Sequence, residues 1–214
     1  GTIRDVAANT APTTLATPGA AGSLGANKAL IVDTTVPTVS SVTSSTANGY
    51  YKVGQTVSIQ VVFTEVVDVT GTPQLTLETG TTDKVLNYSS GSGTNTLNFS
   101  YTITSGENSL DLDYVSTSAL ALNGGTIRDA ALNDGTTTLA TPGAAGSLGA
   151  NKALVIDAIF PEVINVTSTT ANGAYNVPDV IVIKVQFNKI VNVTGTPQLT
   201  LETGGTDAVV DYTT

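Results

Sequence analysis

Apolar and polar residues alternate with a period of two through much of this chain, the mark of strands with one face buried. Val57, Ile59, Val61 and Phe63 point one way, with Thr56, Ser58 and Gln60 pointing the other. Leu97, Phe99, Tyr101 and Ile103 repeat the pattern, and Leu110, Leu112 and Tyr114 form a shorter version. Leu75 with Leu77, Val85 with Asn87, and Leu154 with Ile156 mark further strands. Clusters of turn-forming residues separate them at Ala47–Gly49, Gly71–Pro73, Thr79–Gly80, Ser89–Thr94 and Ser105–Asn108. No stretch carries an apolar stripe at helical spacing. About seven short strands of this kind predict an all-β fold, an antiparallel immunoglobulin-like β-sandwich. Val57, Ile59, Val61, Phe63, Leu97, Phe99 and Tyr101 are its expected core.

The same pattern occurs twice at one fixed offset. Gly1–Asp5 returns as Gly125–Asp129, Thr13–Leu30 returns unchanged as Thr137–Leu154, and Val69–Gly80 returns as Val193–Gly204. The offset is 124 residues in each case (125 − 1, 137 − 13 and 193 − 69), which is the length of a whole domain and not of a solenoid unit. Asp33–Pro37 and Asp157–Pro161 are equivalent, and each follows an expected apolar strand, Ala29–Val32 or Ala153–Ile156. Proline removes a ladder donor and disfavours helix before it, so these stretches read as extended linkers. The sandwich modules are thus expected in tandem: 1–35 as the C-terminal part of one repeat, 36–160 as a complete repeat, and 161–214 as the first part of the next. The two partial repeats together lack a counterpart of Ser90–Gly124. Their expected partners are neighbouring repeats, or other copies in a head-to-tail homopolymer joined by β-pairing through Ala29–Val32.

Composition narrows the chemistry. Cys, His, Met and Trp are absent, so there is no disulfide, no thiolate and no histidine base or ligand. Seventeen acidic against eight basic residues give a net charge of −9. The bases are scattered singly, which argues against a nucleic-acid partner. No apolar run is long enough to be a membrane-spanning helix.

The runs FTEVVDVTGTPQLTLETG and SSGSGTNTLNFSYTI, the phrase GTIRDAALND and the linker VDTTVPTV resemble bacterial immunoglobulin-like tandem repeats. Such repeats string together giant extracellular adhesins and swim-type surface proteins. The resemblance covers essentially the whole chain. It implies a non-catalytic stalk or fibre module on the bacterial cell surface, often stiffened by Ca²⁺ between domains. Members of that family often read Asp-x-Ala-Gly-Asn after the GTIR phrase. Here the loops are Asp129-Ala-Ala-Leu-Asn133 and Asp5-Val-Ala-Ala-Asn9, with the glycine replaced.

Up-and-down strands would put the loop expected at Glu65–Gly71 beside the linker entering the module. Asp5, Asp33, Glu65 and Asp68 then become the expected oxygen ligands of a junction Ca²⁺, with Asn9 nearby. The alternative is a solvated loop edge with scattered carboxylates. In the next repeat Thr64-Glu65 becomes Asn188-Lys189, which disfavours calcium there and suggests that Lys189 pairs with Asp157 or Asp129. Asp111 and Asp113 form a second acidic pair. They raise a glycosidase or carbohydrate-binding reading, but no row of aromatic residues accompanies them. Tyr51 and Tyr88 recur as Tyr175 and Tyr212 and read as packing residues; Tyr50 becomes Ala174 and reads as a surface position.

Overall fold

The computed structural model describes residues 1–213. In chain order the elements are α1 (Leu24–Asn27), β1 (Val39–Ser44), β2 (Gly49–Tyr51), β3 (Thr56–Thr70), β4 (Gln74–Glu78), β5 (Lys84–Ser90), β6 (Thr94–Thr102) and β7 (Asn108–Ser109). There follow β8 (Asp113–Tyr114), β9 (Leu120–Ala121), β10 (Thr126–Arg128), α2 (Leu148–Asn151), β11 (Leu154–Asp157), β12 (Val163–Ser168), β13 (Ile183–Phe187), β14 (Gln198–Leu201) and β15 (Ala208–Asp211). The fold is all-β and sandwich-like. One antiparallel sheet curls in the order β1-β3-β6-β5-β4-β8, with β10 also on β3 and β9 on β4. A smaller sheet, β2-β11-β7, contains one parallel pair, β2 with β11, where the sequence suggested antiparallel pairing throughout.

The core is built on the facing rows of β3 and β6. Val57 lies opposite Tyr101, Ile59 opposite Phe99 and Val61 opposite Leu97, and all six are buried. Tyr88 closes one side edge-on to Phe99, with ring centroids 6.2 Å apart. The core runs from Val42 to Ala158 and includes every residue expected there. Tyr51 and Tyr88 pack against it, while Tyr50 is exposed.

Several local expectations fail. Leu112 and Tyr114 are buried but Leu110 is 92 % exposed, because irregular chain separates β7 from β8 and breaks the alternation. In β5 the inward residues are Leu86 and Tyr88; Val85 faces out, one residue out of phase with the expected pattern. The expected loop at Glu65–Gly71 is mostly strand, since β3 runs on to Thr70 to meet β10. Ala29–Val32 is not a strand, whereas its counterpart forms β11 between β2 and β7. Strands need ladder partners, and that segment has none among the described residues.

Local structure repeats even where burial does not. β1 and β3 pair from Val39↔Phe63 to Ser44↔Ile59 with one irregularity, and β12 and β13 pair from Val163↔Phe187 to Ser168↔Ile183 with the same one. Gln74↔Asn87 in β4–β5 recurs as Gln198↔Asp211 in β14–β15. The turns α1 and α2 share one cap: the Ser23 or Ser147 hydroxyl accepts from the backbone N–H of Ala26 or Ala150. Yet Leu24 is 69 % exposed while Leu148 is fully buried.

A buried polar latch ties β6 to the following turn. The Glu107 carboxylate accepts from the Tyr101 hydroxyl at 2.9 Å and the Thr104 N–H at 2.7 Å, and pairs with Lys84 at 3.0 Å. Burial alone would raise its pKa, but the Thr104, Lys84 and Tyr101 contacts outweigh it and lower the value.

Two predictions follow from these contacts. Leu148→Ala should destabilise the 36–160 module by about 2–5 kcal/mol, whereas Leu24→Ala should stay within about 0.5 kcal/mol, as read by denaturant unfolding. Glu107→Gln should cost about 1–3 kcal/mol at neutral pH. Because its folded pKa is depressed, Glu107 contributes stability above its ordinary value of 4.5 and loses that contribution as pH falls through the folded value. Melting curves of the variant should therefore depend less on pH across that acidic range than those of the unmodified chain.

Candidate functional site

Where the linker enters the module, three carboxylates converge. Asp33, Glu65 and Asp129 each offer an oxygen, and these atoms lie within 4.8 Å of one another. Three separate features of the chain put them there.

Glu65 is placed by an irregularity in β3. Between Val62 and Val67 the strand runs five residues forward while β6 moves only from Thr96 to Thr94. The surplus bulges, and bulges re-aim side chains. Val67 returns to the core, Val66 faces solvent, and Glu65 turns towards the linker.

Asp129 is placed by a closed five-residue loop. Its backbone N–H donates to the Asn133 carbonyl at 3.2 Å, and the Leu132 N–H donates to the Asp129 carbonyl at 3.1 Å. The Asp129 carboxylate accepts from the Asn133 backbone N–H at 2.8 Å and from its side-chain amide at 2.7 Å. Burial opposes ionisation of Asp129, but the Asn133 hydrogen bonds, with those of Ala131 and Leu132, lower its pKa. This loop carries the replaced glycine. Leu132 has φ 70° and its counterpart Ala8 has φ 68°, both in the left-handed region that glycine enters without steric cost.

Asp33 is held by the linker itself. Its carboxylate accepts from the Thr35 N–H at 3.0 Å, and its carbonyl accepts from the Asn133 amide at 3.2 Å. Further along, the Thr136 N–H donates to the Pro37 carbonyl and the Thr64 N–H to the Thr38 carbonyl, each at 2.8 Å. The linker is thus clamped between the Asp129–Asn133 loop and β3.

The electrostatics of the cluster are unfavourable as they stand. The ion pairs among the described residues are Lys84–Glu107, Arg128–Asp134 and Lys189–Asp157, and none reaches the cluster. Glu65 Oε1 is shielded from solvent and has no hydrogen-bond partner. Burial, then the charges of Asp33 and Asp129, raise the Glu65 pKa.

Of the ligands expected from sequence, Asp33 and Glu65 are brought together and the other two lie elsewhere. Asp5 is exposed and engaged with Asn9, whose side chain and backbone lower its pKa. Asp68 is exposed and touches Ser92 at 3.5 Å. The third member, Asp129, is the repeat counterpart of Asp5. The fixed offset marks the two as equivalent, and the pairing of β10 with β3 brings Asp129 to the linker.

Asp113 serves a turn, accepting from the Gly143 N–H at 2.9 Å, and Asp111 lies beside it: a Cβ on Gly149 would meet the two carboxylates at 3.0 and 3.4 Å.

Leu132→Gly should raise stability by about 1 kcal/mol, because relief of the left-handed strain exceeds the entropy that glycine adds to the unfolded chain. Denaturant unfolding of the full chain reads this directly, and a loss of stability would contradict it. In comparisons with family models, with curated proteins and with solved structures, the chain finds no match.

Proposed function

We propose that the chain is a structural, non-catalytic segment of a tandem immunoglobulin-like array in a long extracellular bacterial surface protein or fibre. The observation that carries this reading is the return of the same strand register, bulge and capped turn 124 residues later (Val39↔Phe63 becoming Val163↔Phe187). A chain that repeats whole domains without a gap is built to span distance. The partners are neighbouring repeats. In 36–160 the positions equivalent to Leu24, Leu30 and Val32 are Leu148, Leu154 and Ile156, all buried by the rest of the same repeat.

The cluster supports a calcium-stiffened junction. Ligand oxygens on opposite sides of a Ca²⁺ lie about 5 Å apart, at bond lengths of 2.3–2.6 Å, and the three carboxylates fall within that span. They are hard oxygen donors, one of them shielded and without a hydrogen-bond partner, and they repel one another without a cation. Asp33, Glu65 and Asp129 would hold the ion, and Asn133 would keep Asp129 oriented. Bound there, the metal would fasten the linker to β3 and to the loop after β10.

A second reading, a self-assembling filament formed by strand exchange, is favoured by the exposed apolar segment Leu30–Val32. Electron microscopy of the purified chain separates the two: isolated rods accompany the stalk, and regular filaments accompany strand exchange. Calcium at about 1 mM, the range of extracellular sites, should raise the melting temperature of the unmodified chain and not that of Asp129→Asn. An unchanged melting curve would remove calcium from this reading.

A further inference from the structure

The linker aspartate meets opposite charges at the two junctions. At the second one, Lys189 stands where Glu65 stands at the first, and its ammonium donates to both Asp157 carboxylate oxygens at 2.7 Å and to the Ile159 carbonyl at 2.9 Å. Asp157 and Ile159 are the repeat counterparts of Asp33 and Thr35. We propose that Lys189 is a tethered cation that closes the second junction without metal, and that this one repeat position sets whether a junction takes a soluble divalent ion or its own ammonium.

The contacts between linker and strand are the same in both places. Asp157 accepts from the Ile159 N–H as Asp33 accepts from the Thr35 N–H, at 3.4 and 3.0 Å. The Asn188 side-chain oxygen accepts from the Glu162 N–H at 3.0 Å, and the Thr64 hydroxyl accepts from the Thr38 N–H at 3.1 Å. The change from Thr64-Glu65 to Asn188-Lys189 therefore keeps the neighbouring hydrogen bond and reverses the charge of one side chain.

The reversal changes what the linker aspartate meets. Asp33 faces Glu65 and Asp129, three formal negative charges with no basic partner among the described residues. Asp157 faces an ammonium. The oxygens that Lys189 gathers also indicate further donors at the first junction: by repeat equivalence, the Thr35 carbonyl joins the Asp33 carboxylate.

The two closures respond to different solutes. The Lys189 and Asp157 side chains are 31 % and 50 % exposed, so added salt screens their attraction. The first junction answers to divalent cation, the second to ionic strength. An array mixing such repeats has flexible points that open when calcium is withdrawn and others that stay shut.

This inference rests on reading the chain as consecutive modules, and the test separates the two ideas. The chain has no cysteine, so Ser105→Cys and Thr167→Cys place one spin-label pair across the second junction, the latter on β12. Both positions are exposed. Double electron–electron resonance should give one narrow distance distribution in EDTA that added calcium leaves unchanged. It should lose that narrow component in Lys189→Ala, and in about 1 M NaCl, where the screening length is about 3 Å. A narrow distribution that ignores Lys189→Ala overturns the clamp alone. A broad distribution under every condition likewise overturns the clamp, whereas the array reading falls only if electron microscopy shows neither rods nor filaments. At the first junction, Glu65→Lys should raise the melting temperature in EDTA and remove the calcium increment; a variant that still responds to calcium overturns the switch.

Discussion

The apolar row shared by β3 and β6 is the constraint on which the rest of the module depends. Val57, Ile59 and Val61 face Tyr101, Phe99 and Leu97 across one ladder, so the register of these strands is fixed by which faces must leave water. β3 also pairs with β1 along its first half and with β10 at its far end. A strand of 15 residues held by three partners cannot keep one regular register throughout. The irregularity falls between Val62 and Val67, and the side chain it turns towards the linker is Glu65. Core packing thus decides where a charge stands at the module's end.

That charge makes the linker part of the module. Asn133 reaches the Asp33 carbonyl, the Thr136 N–H reaches Pro37, and Thr64 exchanges hydrogen bonds with Thr38. These polar contacts fix the linker's path, and the converging carboxylates work against it. At the equivalent linker further along the chain, the Lys189 ammonium pairs with Asp157 instead.

Much of this was legible in the sequence. Period-two alternation named the buried residues of β3 and β6, and the fixed offset marked the linker Asp33 and narrowed the partner of Lys189 to Asp157 or Asp129, of which the structure takes Asp157. What alternation could not reveal was where it stops. Leu110 lies beyond a break in the chain's regularity and is exposed, and Val85 is one residue out of phase. The third carboxylate was missed because Asp5 and Asp129 sit in near-identical phrases. Linear order favoured Asp5, whereas the ladder of β10 on β3 selects Asp129.

Thr13–Leu30 and Thr137–Leu154 separate the two kinds of determination. Their sequences are identical, and the sequence alone gives both the same serine-capped turn, because that cap needs only side chains and N–H groups three residues apart. Burial needs partners from elsewhere in the fold. Leu148 and Leu154 lose all contact with water against strands distant in the chain, while Leu24 and Leu30 remain 69 % exposed. In the same way the sequence supplied carboxylates at Asp33, Glu65 and Asp129, but only the tertiary structure set them within one ion's reach. Proximity between residues a hundred positions apart is a property of packed sheets, not of any local pattern.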